Sequence, residues 1–294
     1  MRAVVLRETG GPEQLQIEEV EEPEEPALRV RAAGVNFLDL LVRRGLYPQM
    51  PELPHVLGSE VAGELDGERV FGFPSGAGGY AERVRVDPRW TFPLPDSASF
   101  EDGAAFLMAY LTAWMPLRRL EPETVLVTAA SGGVGSAAVR VAKHLGARVV
   151  AATSTDEKRR FALELGADEA VGYEDLPPCD FAFDPVGGDV FAACLSALRP
   201  LGTLIAVGEA GGRWRDLRPA LLVGRNVAVR GFYLGRLMRL VPELVHDAAE
   251  EVVELWRQGA FAPVVGATFP LEHAADAHRL IDERRHVGKV ILTV

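Results

Sequence analysis

Residues 125–135 read Val125-Leu126-Val127-Thr128-Ala129-Ala130-Ser131-Gly132-Gly133-Val134-Gly135. Val125–Ala129 has the pattern of a strand buried on both faces of a parallel sheet. Gly135–Leu145 follows with Ala138, Val141 and Leu145 at helical spacing. Between strand and helix stands the variant glycine turn Ala-x-Gly-Gly-x-Gly. Glycine lets the chain turn sharply and lets its backbone approach a pyrophosphate, and the helix start offers unsatisfied N–H groups and a favourable dipole. The stretch therefore predicts a dinucleotide site on Ser131, Gly132, Gly133, Val134 and Gly135.

The same alternation continues downstream. Val149–Ala152 reads as a second strand, and Asp156–Leu165 as a helix ended by Gly166. Phe181–Phe183 and Leu204–Val207 read as further strands, with the helix-like Val190–Leu198 between them. Such repetition implies a doubly wound parallel sheet, expected over residues 99–261. Sites that prefer NAD place Asp or Glu at the end of the second strand, where the carboxylate accepts from the ribose hydroxyls. Here Thr153 and Ser154 stand there, with Lys158 close by. A carboxylate would repel a 2′-phosphate, whereas hydroxyls and an ammonium would hold it, so NADPH is the expected cofactor. Lys158 can also be read as an ordinary surface residue. Its survival among 31 basic residues, of which only Lys143, Lys158 and Lys289 are lysines, favours the functional reading.

Residues 1–98 have another character. Ala3–Leu6, Leu28–Ala33 and Glu82–Val86 are short β-prone runs, and Asp66-Gly67 reads as a tight hairpin turn. The acidic, proline-broken Glu18–Glu25 reads as a solvated loop. In the tail, Val241–Gln258 and Leu271–Glu283 read as helices and Val290–Val294 as a last strand, and 262–294 are expected to rejoin 1–98 in one domain. The formal charge of −11 argues against nucleic acid as a partner. No apolar run approaches the roughly 18 residues of a membrane span, and no signal peptide is evident at the start. With two cysteines, Cys179 and Cys194, forming no metal clip, a reducing cytoplasm is the expected setting.

Three further segments carry a family resemblance: Ala33-Gly34-Val35-Asn36-Phe37-Leu38-Asp39, then Arg44-Gly45-Leu46-Tyr47-Pro48, then Leu53-Pro54-His55-Val56-Leu57-Gly58-Ser59-Glu60-Val61-Ala62-Gly63. With the glycine turn and Gly288-Lys289-Val290-Ile291-Leu292, the chain resembles the zinc-free quinone oxidoreductase (zeta-crystallin-like) branch of the medium-chain dehydrogenases/reductases. The resemblance implies a partly open GroES-like β-barrel as catalytic domain, with the Rossmann domain inserted before its last segment. It also implies a homodimer joined edge to edge through the Rossmann sheet, here along Val227–Tyr233.

Zinc alcohol dehydrogenases carry Cys where this chain has Asn36, and Gly-His-Glu where it has Gly58-Ser59-Glu60. Zinc requires thiolate or imidazole, so no metal is expected. Hydride transfer must then go to an acceptor that is already electrophilic, a quinone or an α,β-unsaturated carbonyl. The resemblance puts Asn36 and Tyr47 in the nicotinamide pocket. Asn36 would orient the carboxamide, a water or the substrate oxygen. Tyr47 would either donate to an oxygen gaining charge or act only as an aromatic wall. Asp39 and Glu60 read as structural partners. The resemblance adds Thr112, Tyr173, Val207, Gly208, Phe232, Tyr233 and Leu234 to the cofactor shell, and puts Arg284 and Lys289 near the adenosine phosphate end. For Arg284 an exposed helix position is the competing reading. An enoyl-thioester reductase and a non-catalytic NADPH-binding protein remain alternative functions.

Overall fold

The computed structural model describes residues 1–76, 78–119, 123–214 and 216–294. These form two compact units, one of Met1–Leu107 with Ala262–Val294 and one of Met108–Phe261.

The first unit opens with β1 (Arg2–Leu6), β2 (Leu15–Glu19), β3 (Ala27–Val35), the short helix α1 (Phe37–Arg43), β4 (His55–Val56), β5 (Val61–Leu65), β6 (Glu68–Pro74) and β7 (Arg83–Pro93). The β5–β6 hairpin turns on Asp66 and Gly67, with φ of 50° and 84°. Positive φ at both central residues matches the strand twist, which is why Asp-Gly suits this turn. β3 pairs with β5, β5 with β6, β6 with β7, and β7 returns to β3, so four strands close a ring. β1 pairs separately with β2 and β4. Next comes α2 (Phe100–Leu117), whose Ala104–Leu107 and Ala113–Met115 are all buried. A helix apolar all round shows no amphipathic period, and the sequence reading passed over it for that reason.

The second unit follows as β8 (Thr124–Thr128), α3 (Gly133–His144), β9 (Arg148–Ala152), α4 (Asp156–Glu164), β10 (Glu169–Val171), β11 (Cys179–Asp184), α5 (Gly188–Ala197), β12 (Leu198–Ala206), α6 (Pro219–Arg225), β13 (Ala228–Gly231), α7 (Leu234–Leu240) and α8 (Pro242–Arg257). Its sheet runs β10-β9-β8-β11-β12-β13, with every pairing parallel. The chain steps outward from β8 through β9 to β10, then returns to the other side of β8 as β11. β8 is buried at all five positions, as a central strand with helices on both faces must be. Thr155 caps α4 by accepting from the N–H of Lys158 at 3.2 Å, and Gly166, at φ 106°, lets the chain leave that helix.

The helix expected over Val241–Gln258 starts at Pro242 and is preceded by the separate α7. Proline fits the first helical position and pushes the residue before it, Val241, out of helical geometry (φ −141°, ψ 57°).

The tail adds β14 (Val265–Pro270), a 3-10 turn at Leu271–His273, α9 (Ala274–Asp282) and β15 (Lys289–Thr293). The helix expected over Leu271–Glu283 thus begins one turn later. β15 pairs with β3 and with β14, so the last strand extends the sheet of the first unit. The architecture is the expected one: a GroES-like β-domain and a parallel doubly wound domain.

Candidate functional site

In the second unit, parallel pairing brings the carboxyl ends of all six strands to one edge. Thr128 lies opposite Ala152, and Asp184, Ala206 and Gly231 continue in register on the other side. The reversal between β8 and β11 is the topological switch point, where open α/β sheets bind ligands. The glycine turn leaves β8 there. Ala129 takes φ 45°, and a side chain on Gly135 would overlap the Ala129 carbonyl oxygen. Gly132 is the N-cap of α3 and provides no side-chain cap, so first-turn N–H groups are left for water or a ligand. The Ala129 N–H donates to the Tyr173 hydroxyl at 3.2 Å, which seats Tyr173 against the turn.

One step along the edge, Thr153 is 1% exposed, and its buried hydroxyl has no hydrogen-bond partner among the described residues. Ser154 next to it is exposed, and Lys158 lies half-buried in the first turn of α4. Beyond the switch, Asp184 ties the edge together. It accepts from the Thr128 hydroxyl at 2.6 Å and from the N–H groups of Val186 and Gly187 at 2.9 and 3.1 Å. Burial pushes its carboxyl up in pKa, and these three donors pull it back. Val207 donates to the Asp184 carbonyl and Phe232 to that of Ala206, both at 2.9 Å, so Val207, Gly208 and Phe232–Leu234 follow directly on strand ends. Thr112 is buried in α2 of the same unit.

The first unit gathers charge instead. β15 and β3 run antiparallel with Val290 opposite Val35, and continuing that register by one residue sets Lys289 opposite Asn36. β3 and β5 pair Ala33 with Val61, and the Gly34 N–H donates to the Glu60 carbonyl at 2.9 Å. Three strands thus bring Asn36, Glu60 and Lys289 together. The Lys289 ammonium donates to Asn36 Oδ1 at 2.7 Å and to Glu60 Oε2 at 2.9 Å. Lys289 is 4% exposed and Glu60 0%. Only glycine fits at position 34, since a Cβ there would strike the Ala104 carbonyl and come within 3.2 Å of Lys289 Nζ.

Asn36 is the N-cap of α1 and forms a capping box with Asp39. Asp39 accepts from the Asn36 N–H at 2.8 Å, and the Asp39 N–H donates to the Asn36 backbone carbonyl at 2.9 Å. Asp39 is buried, and burial raises its carboxyl to about 6 against the pull of the Asn36 N–H, Lys289 and Tyr80. The Tyr80 hydroxyl donates to Asp39 Oδ2 at 3.1 Å, and His278 Nε2 lies 3.3 Å from that hydroxyl. Since Tyr80 gives its proton to Asp39, Nε2 must carry the proton donated to Tyr80. Burial, then Arg43 and Arg44, holds His278 down to about 3 and therefore neutral. Arg43, fully buried itself, closes the network on Asp282 at 2.6 Å.

Of the residues anticipated from the sequence, Ser131–Gly135, Thr153, Ser154, Lys158, Tyr173, Val207, Gly208 and Phe232–Leu234 fall on or just beyond the carboxyl edge of one sheet. Asn36 and Lys289 meet in the other unit. Lys289, expected near the adenosine phosphates, is a buried ion-pair partner of Glu60 beside Asn36, placed there by the β3–β15 register. Arg284 occupies the left-handed position after α9 (φ 55°) and is exposed. Tyr47 lies in the loop after α1, half-buried against the apolar core of its unit. Tyr80 and His278 escaped the sequence reading. Each is a lone polar residue in an apolar setting, and only the folded sheet reveals its partner.

The comparisons agree with this construction. A family model described as "Alcohol dehydrogenase GroES-like domain" matches residues 22–96, and one described as "Zinc-binding dehydrogenase" matches 165–292. The mouse protein "Quinone oxidoreductase-like protein 2" is 33% identical over 92% of this chain and 85% of its own length. A Thermus thermophilus quinone oxidoreductase, solved alone and with NADPH, superposes with a TM-score of 0.89 at 37% identity over the full length of both chains. A mycobacterial protein solved with NADPH gives 0.92 at 32% identity, again over both full lengths. The chain belongs to the quinone oxidoreductase-like branch of the medium-chain dehydrogenases/reductases.

Proposed function

We propose that the protein is an NADPH-dependent oxidoreductase that reduces quinones or α,β-unsaturated carbonyl compounds by hydride transfer, and that it uses no zinc. The cluster of Asn36, Glu60 and Lys289 carries this reading. The polar atoms on offer there are an amide, the Ser59 hydroxyl and a carboxylate already neutralised by an ammonium at 2.9 Å. That set does not fit a zinc ion, which calls for thiolates, imidazoles or free carboxylates. Without a Lewis acid, the acceptor must bring its own electrophilicity.

The residues of the second unit suit NADPH. The Gly135 cradle and the uncapped start of α3 would take the pyrophosphate. The unpartnered Thr153 hydroxyl and Ser154 would take the ribose, and Lys158 the 2′-phosphate. Thr112, Tyr173, Val207, Gly208, Phe232, Tyr233 and Leu234 complete that shell. Relatives solved with NADPH support the choice. Bound NADPH supplies the hydride. Asn36 and Tyr47 hold the acceptor and donate to its oxygen as charge builds there.

A homodimer through β13 belongs to the same reading. β13 is the last strand of its sheet, and the neighbouring α6 leaves Val223 75% exposed. Light scattering is expected to give twice the chain mass of 31.8 kDa, and a monomer at micromolar concentration would refute it.

Steady-state NADPH oxidation with a panel of quinones, enones and enoyl thioesters tests the function. Turnover with quinones or enones supports it, turnover confined to thioesters moves the substrate class, and NADPH binding without any turnover points to a non-catalytic role.

A further inference from the structure

We propose that Lys289 is a positioning residue that fixes which end of the Asn36 amide is free to donate to a ligand, with Glu60 holding Lys289 in place. The inference rests on the reading of Asn36 given above.

An asparagine amide has an accepting oxygen and a donating nitrogen of nearly the same shape, and its neighbours decide how it sits. An ammonium offers donors only. Held 2.7 Å from Asn36, Lys289 can be met only by Oδ1. The nitrogen end is left with long contacts: 3.3 Å to Ser59 Oγ, 3.4 Å to the Gly34 carbonyl and 3.4 Å to Glu60 Oε2. N–H···O bonds favour about 2.9–3.0 Å, so none of these three saturates the amide hydrogens. One end of Asn36 is fixed and the other is open to a better acceptor, such as a ligand carbonyl oxygen.

Removal of the ammonium inverts this preference. Glu60 is fully buried and, as a carboxylate, can only accept. Without Lys289 it would draw the Asn36 nitrogen to itself, and the amide would turn its oxygen outward. An outward oxygen repels a substrate oxygen gaining negative charge. The Lys289 charge thus sets the sign of a hydrogen bond made by its neighbour.

The test compares Lys289→Met, Lys289→Arg and the neutral double variant Glu60→Gln/Lys289→Met. In Lys289→Met, kcat for quinone or enone reduction is expected to fall roughly ten- to a hundredfold, while the Kd for NADPH, read by fluorescence, stays within about twofold of wild type. Lys289→Arg keeps a donor against Oδ1 and should recover most of kcat. The double variant also neutralises the buried carboxylate that has lost its ammonium, so its melting temperature should return toward wild type while kcat stays low.

An activity-free readout is at hand, because Asn36 and Asn226 are the only asparagines. Selective 15N-asparagine labelling gives two side-chain amide pairs, assigned with Asn226→Gly, which suits the left-handed backbone there (φ 53°). The Asn36 pair should shift in Lys289→Met and in the double variant and stay near its wild-type position in Lys289→Arg. An unmoved Asn36 pair in Lys289→Met overturns the proposal. So does a loss of NADPH affinity that matches the loss of kcat, since Lys289 would then be acting on the cofactor. If wild type reduces no acceptor in the panel, the functional reading fails while the amide shifts still judge the positioning role.

Discussion

The two units build their candidate ligand-binding regions from different materials. The carboxyl edge of the parallel sheet is built from backbone and small residues: the Gly135 cradle, the left-handed Ala129, the Thr153 hydroxyl, and Asp184 pinning the N–H groups of Val186 and Gly187. The barrel unit buries whole charges, with Lys289 on Glu60 and Arg43 on Asp282, and a chain from His278 through Tyr80 to Asp39. A backbone cradle depends on steric room and tolerates no added atom. A buried charge network depends on protonation and tolerates no lost partner. The first should break on an added atom and barely respond to pH, and the second should break on a lost partner, which should also expose a pH dependence that the intact network balances.

The largest effect is expected at the cradle. Gly135→Ala puts a Cβ into the Ala129 carbonyl, a backbone atom that cannot swing aside. Overpacking of this kind costs about 1–3 kcal/mol or more. Relief by moving α3 away from β8 would displace the first-turn N–H groups to which we assign the pyrophosphate, so NADPH affinity should fall with stability. Thermal melts with and without NADPH check this. Unchanged stability together with unchanged affinity would show that the turn is looser than the geometry says.

This contrast also explains what could be read from the sequence. The cradle is local: strand, glycine turn and helix lie within residues 125–145, and each glycine answers to a nearby steric need. The doubly wound order and the hydroxyls after the second strand were legible for the same reason. The charge network joins Asn36 to Glu60 and Lys289, and Asp39 to Tyr80 and His278, across separations fixed by strand register. Register depends on the assembled sheet, so the burial of Lys289 against Glu60 could not be read from the sequence. α2 was missed because burial on every side erases the periodicity that identifies a helix.

The network's pH response comes next in size. Asp39 titrates at about 6 in the fold, above its ordinary 3.8, so between those values the folded state holds the extra proton. Asp39 therefore contributes stability that grows as pH falls from about 6 toward 4. His278 sits at about 3 in the fold, below its ordinary 6.5, so below pH 6.5 the unfolded state holds the extra proton. Its contribution is lost as pH falls through the same window. The two slopes oppose each other, one proton each, and nearly cancel. Asp39→Asn removes one of them and should expose a loss of about 1.4 kcal/mol per pH unit between pH 6 and 4. Denaturant melts at a series of pH values measure it. The same slope in wild type and variant would mean that the two groups do not offset each other.

The smallest effect is expected where the cofactor edge borrows a charge. Lys158 is half-buried in the first turn of α4, which starts at the Thr155 cap just beyond Thr153 and Ser154. If it reads the 2′-phosphate, Lys158→Ala should weaken NADPH by about 1 kcal/mol, roughly fivefold, and leave NADH unchanged, because NADH lacks the phosphate. Partial exposure sets the modest size, and added salt should shrink it further through screening. Thr153→Asp approaches the question from the other side. A carboxylate there accepts from the ribose hydroxyls of NADH and repels the phosphate of NADPH, so preference should move toward NADH. Fluorescence titration of both cofactors into wild type and the two variants, at low and high salt, tests the pair together. Equal weakening of both cofactors by Lys158→Ala would make the lysine a structural cap residue, and would leave the Thr153 hydroxyl as the main discriminating group on a backbone-built edge.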